Sequence, residues 1–333
     1  MVATLLAAPP ATRTEDVVEK LHGVEVHDPY RWLEQSESAE VKSWTDAQNR
    51  YMRKRLDDFP GRQWLEDRLW KWNEIGSLGA PVVRGAGRHA RLFYTRRAGK
   101  QNQPLLYVRQ SRSGKDRVLF DVNQLASDGT QALDWWYPSE DGALLAYGVS
   151  SGGDESSTLR VRDVASGRDL VDTIPQARAC SLAWLPAGDG FYYTRYPAPG
   201  TVPAGEEHYH RGVFLHRMGT DPATDAKIFG DGLGFSAWPN VQLSPGGRWL
   251  VIEVSQGWSK SELFLLDRKA GGAPLPVVIG RNAIFNVVDV LDDRLYVVSN
   301  ENASRYQLWQ VDPQKPGREH WQLVIPEGDD TLE

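Results

Sequence analysis

The 333 residues hold one cysteine, Cys180, and three methionines. A lone thiol has no internal partner, which excludes a disulfide-stapled secreted fold and leaves a cysteine-based zinc site without ligands. Long apolar runs are missing too. The stretch Met1 to Ala8 has no basic flank and is far shorter than the ~20 residues a bilayer span needs. Residues 1–13 are therefore read as a disordered tail, with the stump of a signal peptide as the lesser alternative for Met1 to Ala8, and no membrane partner is expected. Positive charge is in deficit: 38 Lys and Arg stand against 44 Asp and Glu, net −6. That balance argues against a surface built for nucleic acid phosphates.

Helical spacing is scarce and is sustained only within residues 14–72. From Ser38, an expected N-cap, Val41, Trp44, Ala47 and Tyr51 recur at gaps of 3, 3 and 4 and trace one helix face. A second helix is expected after Pro60, with Trp64, Leu65, Leu69 and Trp72 on its buried side. Upstream lies an irregular aromatic segment, Asp28-Pro29-Tyr30-Arg31-Trp32-Leu33-Glu34. Trp44, Trp64 and Trp72 read as core packing, since indoles are highly buried on average.

Glycine, proline and aromatics are plentiful: 31 Gly, 20 Pro, 13 Trp and 12 Tyr point to many turns between short aromatic-rich strands. From residue 73 onward a strand followed by a polar turn keeps returning. Its first residues are Leu106, Leu159, Val213, Leu263 and Leu308, at gaps of 53, 54, 50 and 45. An earlier strand repeats in step, starting at Leu92, Leu145, Phe191, Leu250 and Leu295. A period near 50 with several strands per unit is the signature of β-propeller blades. Residues 73–333 hold about five such units, and Leu323-Val324-Ile325-Pro326 begins a further strand, so the pattern is expected to stop inside a repeat.

Candidate chemistry is thin. Gly148-Val149-Ser150-Ser151-Gly152 matches the serine nucleophile elbow, which works where a strand turns sharply into a helix. Here a loop and another strand follow, so Ser150 reads as part of a blade hairpin. His208 and His210 in Glu206-Glu207-His208-Tyr209-His210 give two ligands without a third or fourth, a weak metal site, and read as an exposed loop. Asn302-Ala303-Ser304 is a glycosylation sequon that has meaning only in a secretory pathway. Arg84 to Arg117 carries ten basic residues and one acid, net +9 against −15 for the rest. Such a field can attract an anionic partner, but solvated outer strand faces balanced by acids of the next blade are the preferred reading. Gly76-Ser77-Leu78-Gly79 and Gly230-Asp231-Gly232-Leu233-Gly234 lack the Lys-Ser/Thr ending of a phosphate loop.

The sequence resembles the N-terminal half of prolyl oligopeptidase, a serine peptidase family that cuts short peptides after proline. The resemblance begins at Asp28–Glu34 and continues through Ala47-Gln48-Asn49 and Gln101-Asn102-Gln103-Pro104-Leu105-Leu106-Tyr107. It resumes at Pro138-Ser139-Glu140-Asp141-Gly142, Ala183-Trp184 and Phe191-Tyr192-Tyr193-Thr194-Arg195-Tyr196-Pro197. His216-Arg217-Met218-Gly219-Thr220-Asp221 and Val324-Ile325-Pro326-Glu327 complete it, colinearly from about residue 12 to 333. It implies a mainly β protein: about five of seven propeller blades (73–333), preceded by a helical segment (14–72) that belongs to an α/β-hydrolase domain. It also implies that the catalytic Ser, Asp and His lie beyond Glu333, so this chain alone is expected to be inactive and to contain no catalytic residue. By its anchors, Trp258, Pro239 and Ala179 are the expected substrate-lining positions. The implied partners are short proline-containing peptides and the missing hydrolase domain, with no cofactor and no metal. The expected location is the cytoplasm, with the periplasm as the alternative. The competing reading is a non-enzymatic propeller, a binding or scaffold module.

Overall fold

Ser38 takes extended backbone (φ −68°, ψ 145°) and its hydroxyl oxygen accepts from the Val41 amide at 3.2 Å. This satisfies one of the donors that a helix start leaves open, and the helix α1 (Ala39–Asp57) runs on from it. The computed structural model describes residues 8–126, 128–291 and 293–332. It divides into two units, Met1–Ile75 and Gly76–Glu333. In the first, Trp32 is buried and meets Trp44 edge-on at 6.2 Å between ring centroids. The Trp32 indole donates to the Arg13 carbonyl at 2.9 Å, the Trp44 indole to the Thr12 hydroxyl at 3.0 Å, and the Gln48 amide to the Pro10 carbonyl at 3.1 Å. Residues 10–13 are thus tied to Trp32 and α1, which corrects their reading as tail; residues 1–7 lie outside the described residues.

A hairpin of β1 (Val18–Leu21) and β2 (Val24–His27) and a second helix, α2 (Arg62–Asn73), complete this unit. No residue of α2 is buried, and Trp64 is 66% exposed. The expected buried side of Trp64, Leu65, Leu69 and Trp72 is therefore uncovered, and the core reading of Trp64 and Trp72 fails. Apolar spacing says which residues share a helix face, not whether anything lies against it.

The second unit is built from antiparallel sheets in chain order. In the first, β3 (Ser77–Leu78) and β4 (Val82–Arg84) both pair with β5 (Arg91–Arg97), followed by β6 (Leu105–Gln110) and β7 (Asp116–Phe120). The second holds β8 (Gln131–Pro138), β9 (Leu144–Ser151), β10 (Thr158–Asp163) and β11 (Asp169–Ile174). The third holds β12 (Leu182–Trp184), β13 (Gly190–Arg195), β14 (Gly212–Arg217) and β15 (Ala226–Phe229). The fourth holds β16 (Trp238–Leu243), β17 (Trp249–Gln256), β18 (Lys260–Asp267) and β19 (Leu275–Val278). The fifth holds β20 (Phe285–Leu291), β21 (Arg294–Ser299), β22 (Gln307–Val311) and β23 (Gln322–Ile325). The two repeating strands of the sequence are the second and third of each sheet. The strand expected at Leu323 is β23, the outer strand of the fifth sheet, so that sheet is whole and the repeat is not interrupted there.

Alternation along each strand glues neighbouring sheets together, because successive side chains point to opposite faces. On β13, Phe191 and Tyr193 pack with Leu159 and Val161 of the second blade, while Tyr192 packs with Leu250 and Ile252 of the fourth. On β17, Trp249 and Val251 turn the other way, onto Phe285, Leu295 and Val297 of the fifth. Phe93, Leu106 and Phe120 meet Leu145 and Tyr147 between the first and second. The seam between the second and third blades also carries charge. His216 of β14 is fully buried, with Nδ1 2.9 Å from an Asp225 carboxylate oxygen and Nε2 3.0 Å from one of Asp172 on β11.

Candidate functional site on the hairpin face

Antiparallel order decides which loops share an edge. In each blade the hairpin between the second and third strands emerges at the same end as the crossing to the next blade; the other two hairpins emerge at the opposite end. One face of the propeller therefore gathers residues 152–157, 196–211 and 257–259 with the crossings 175–181 and 230–237.

Above the third and fourth blades this face is aromatic. Tyr196 meets Trp238 edge-on at 6.3 Å and His208 at 6.5 Å, and Tyr209 meets Phe235 at 4.9 Å. Beneath Trp238 lies Arg211, only 2% exposed, with its guanidinium carbon 4.3 Å from the indole centroid. Its Nη2 donates to the Ala179 carbonyl at 2.8 Å and to the Thr194 hydroxyl at 2.5 Å. Burial pulls the Arg211 pKa down, and among the described residues no carboxylate stands within ion-pair distance of it. Burial also pushes the neighbouring Cys180 thiol up to about 11 and the Tyr137 phenol up to about 12. Neither group is a nucleophile at neutral pH.

The three expected lining positions fall on this same edge with different exposure. Trp258 follows Gly257 (φ +65°) at the β17–β18 hairpin tip and is 100% exposed. Ala179 is an exposed residue in the left-handed region (φ +44°), held by the Arg211 bond to its carbonyl. Pro239 is buried within β16, an edge strand where a missing N–H is tolerated. Sequence reasoning missed Arg211, since nothing in His-Arg-Gly-Val marks that arginine as buried. Trp238 beside Pro239 at the start of a strand was the available signal.

Ser150, the next-to-last residue of β9, is buried, and its hydroxyl donates to Asp134 at 3.0 Å; Ser157 donates to the same carboxylate at 2.5 Å. No helix follows, and among the described residues no serine hydroxyl shares a hydrogen bond with an imidazole. His210 is bound to Glu206 at 2.5 Å. In the basic stretch, Arg91 donates to the Gly142 carbonyl at 2.5 Å, Arg117 to the Val164 carbonyl, and Arg84 stands 3.7 Å from Glu140. Those cations brace the first blade against the second.

Antiparallel sheets joined face to face through shared cores define the protein as a β-propeller with a helical unit ahead of it. The family model described as prolyl oligopeptidase, N-terminal beta-propeller domain, matches residues 9–333, and the chain belongs to that family. It is 28% identical to a prolyl endopeptidase of Elizabethkingia meningoseptica over 97% of this chain and 45% of that protein. It is 29% identical to prolyl oligopeptidase A of Galerina marginata over 98% of this chain and 48% of that one. A structure from a study of two prolyl endopeptidases superposes with a TM-score of 0.89 at 34% identity, covering 97% of this chain and 47% of its own. Prolyl oligopeptidase B of Galerina marginata, bound to a 35mer hydrolysis and macrocyclization substrate, superposes at 0.83 with 26% identity, covering 97% and 49%. The chain spans about half the length of the relatives it matches.

Proposed function

We propose that this chain is the propeller half of a prolyl oligopeptidase-type serine peptidase. Its hairpin face forms one wall of the space that receives short proline-containing peptides, and Trp258 and Ala179 lie on that wall. The observation that carries the reading is the family match over residues 9–333 at about half the length of full relatives. In the whole enzyme a serine activated by histidine, with an aspartate orienting the imidazole, attacks the peptide carbonyl; those groups belong to the hydrolase domain. The propeller restricts entry to short, flexible chains. Cytoplasmic residence belongs to the same proposal, supported by a single buried thiol and checked by cell fractionation.

Incubating the 333-residue chain with a chromogenic proline-containing peptide is expected to release no chromophore. Turnover that disappears in Ser150→Ala would overturn the assignment and make Ser150 a nucleophile. Adding the hydrolase half of a relative at 28–34% identity is expected to give proline-specific cleavage, read as chromophore release.

A further inference from the structure

Among the described residues Arg211 is a cation without a counter-charge. A guanidinium has five N–H donors, yet among the described residues its two short bonds both leave from Nη2 to neutral oxygens, the uncharged Tyr196 phenol also stands beside it, and Nε and Nη1 are sealed from solvent without a well-aligned acceptor. Removing a charge from water without pairing it is an arrangement that folded proteins avoid. The acids of the adjoining loops are engaged elsewhere: Glu206 holds His210 at 2.5 Å, Glu155 holds Arg178 at 2.6 Å, Asp231 holds Lys227, and Asp154 and Glu207 accept from the Ser156 and Gly205 amides. What covers the guanidinium is the Trp238 ring, itself 38% exposed and therefore open to solvent on its outer side. Exposed Tyr209, Phe235 and Trp258 offer flat apolar area on the same face.

We propose that Arg211 binds a carboxylate carried by a peptide, reached when Trp238 is displaced from above the guanidinium. The hairpin face then selects peptides with an acidic side chain beside an apolar or aromatic residue. The planar guanidinium suits this role, because its fixed donors match carboxylate oxygens better than an ammonium does. The inference rests on the reading of this face as a peptide-binding wall.

Calorimetric titration of the 333-residue chain with Ac-Phe-Pro-Glu-NH2, with its glutamine isostere and with sodium acetate tests it. The Glu peptide is expected to bind about 10-fold tighter than the Gln peptide, the gain of one charge-assisted bond. That preference is expected to vanish in Arg211→Gln, and acetate is expected to compete with the Glu peptide. Its binding is expected to change the indole fluorescence, and the change is expected to be lost in Trp238→Phe. Equal binding of the two peptides overturns the carboxylate site and leaves the peptide wall standing. Binding of neither overturns both. Acetate binding without a peptide preference assigns Arg211 to small anions and overturns the peptide-borne ligand. A Glu preference that survives in Arg211→Gln does the same for Arg211. The Glu-to-Gln comparison uses the unaltered chain, so it holds even where a variant fails to fold.

Discussion

His216 shows what a single side chain does between two blades. A carboxylate faces each ring nitrogen, and the Tyr193 hydroxyl donates to Asp225 at 2.7 Å. Replacing the ring by alanine leaves two acids buried against each other. His216→Ala is therefore expected to cost about 3–5 kcal/mol, read as a lower urea midpoint. Cys180 is buried and its thiol is pushed up to about 11 by desolvation. It is expected to resist a thiol reagent in the native chain and to titrate fully after denaturation. Asp116 and Asp267 are each held down at about 2, by hydrogen bonds from Arg109 and Arg248 respectively. A depressed carboxylate stabilises the fold above its unfolded pKa, and that contribution disappears as pH falls through the folded value. The loss from this pair falls between about pH 4, where unfolded aspartates titrate, and about pH 2. Urea midpoints measured across that window are expected to flatten in the double variant Asp116→Asn, Asp267→Asn, and the effect to shrink with salt.

At the level of elements, the sequence revealed local chemistry and concealed partners. Ser38 was legible because a cap acts within its own turn, and Ser38→Ala is expected to destabilise the first unit by about 1 kcal/mol, seen as lost helical circular dichroism. Ser150 was legible for a similar reason: its elbow needs a helix directly after the strand, and none is written there. In α2 the same apolar pattern was misread, since Trp64, Leu69 and Trp72 lie open. An uncovered aromatic helix face is sticky, so the chain is expected to bind a hydrophobic dye. Leu69→Glu with Trp70→Lys is expected to reduce that signal and raise solubility without altering the β spectrum. Arg211 was invisible because its burial comes from three segments meeting, Ala179, Thr194 and Trp238, which are remote from one another in sequence.

For the molecule as a whole, the fold was readable because blades repeat. Strand starts near Leu106, Leu159, Val213, Leu263 and Leu308 fall on the same structural strand every time. Repeat architectures draw stability from each unit and from its interfaces. Blades two to four are covered on both faces, whereas β23 of the fifth is exposed along its length. Amide exchange is accordingly expected to be slowest in β9, β13 and β17 and fastest in β3, β4 and β23; uniform protection would contradict this gradient. The seams also differ in kind. Second meets third through aromatic rings and the His216 carboxylate pair, and third meets fourth mostly through aliphatic side chains. Blades are therefore not interchangeable parts. A gene with the second and fourth blades exchanged would set Asp172 against an apolar face, so the order of the blades is itself encoded in the chemistry of their joints.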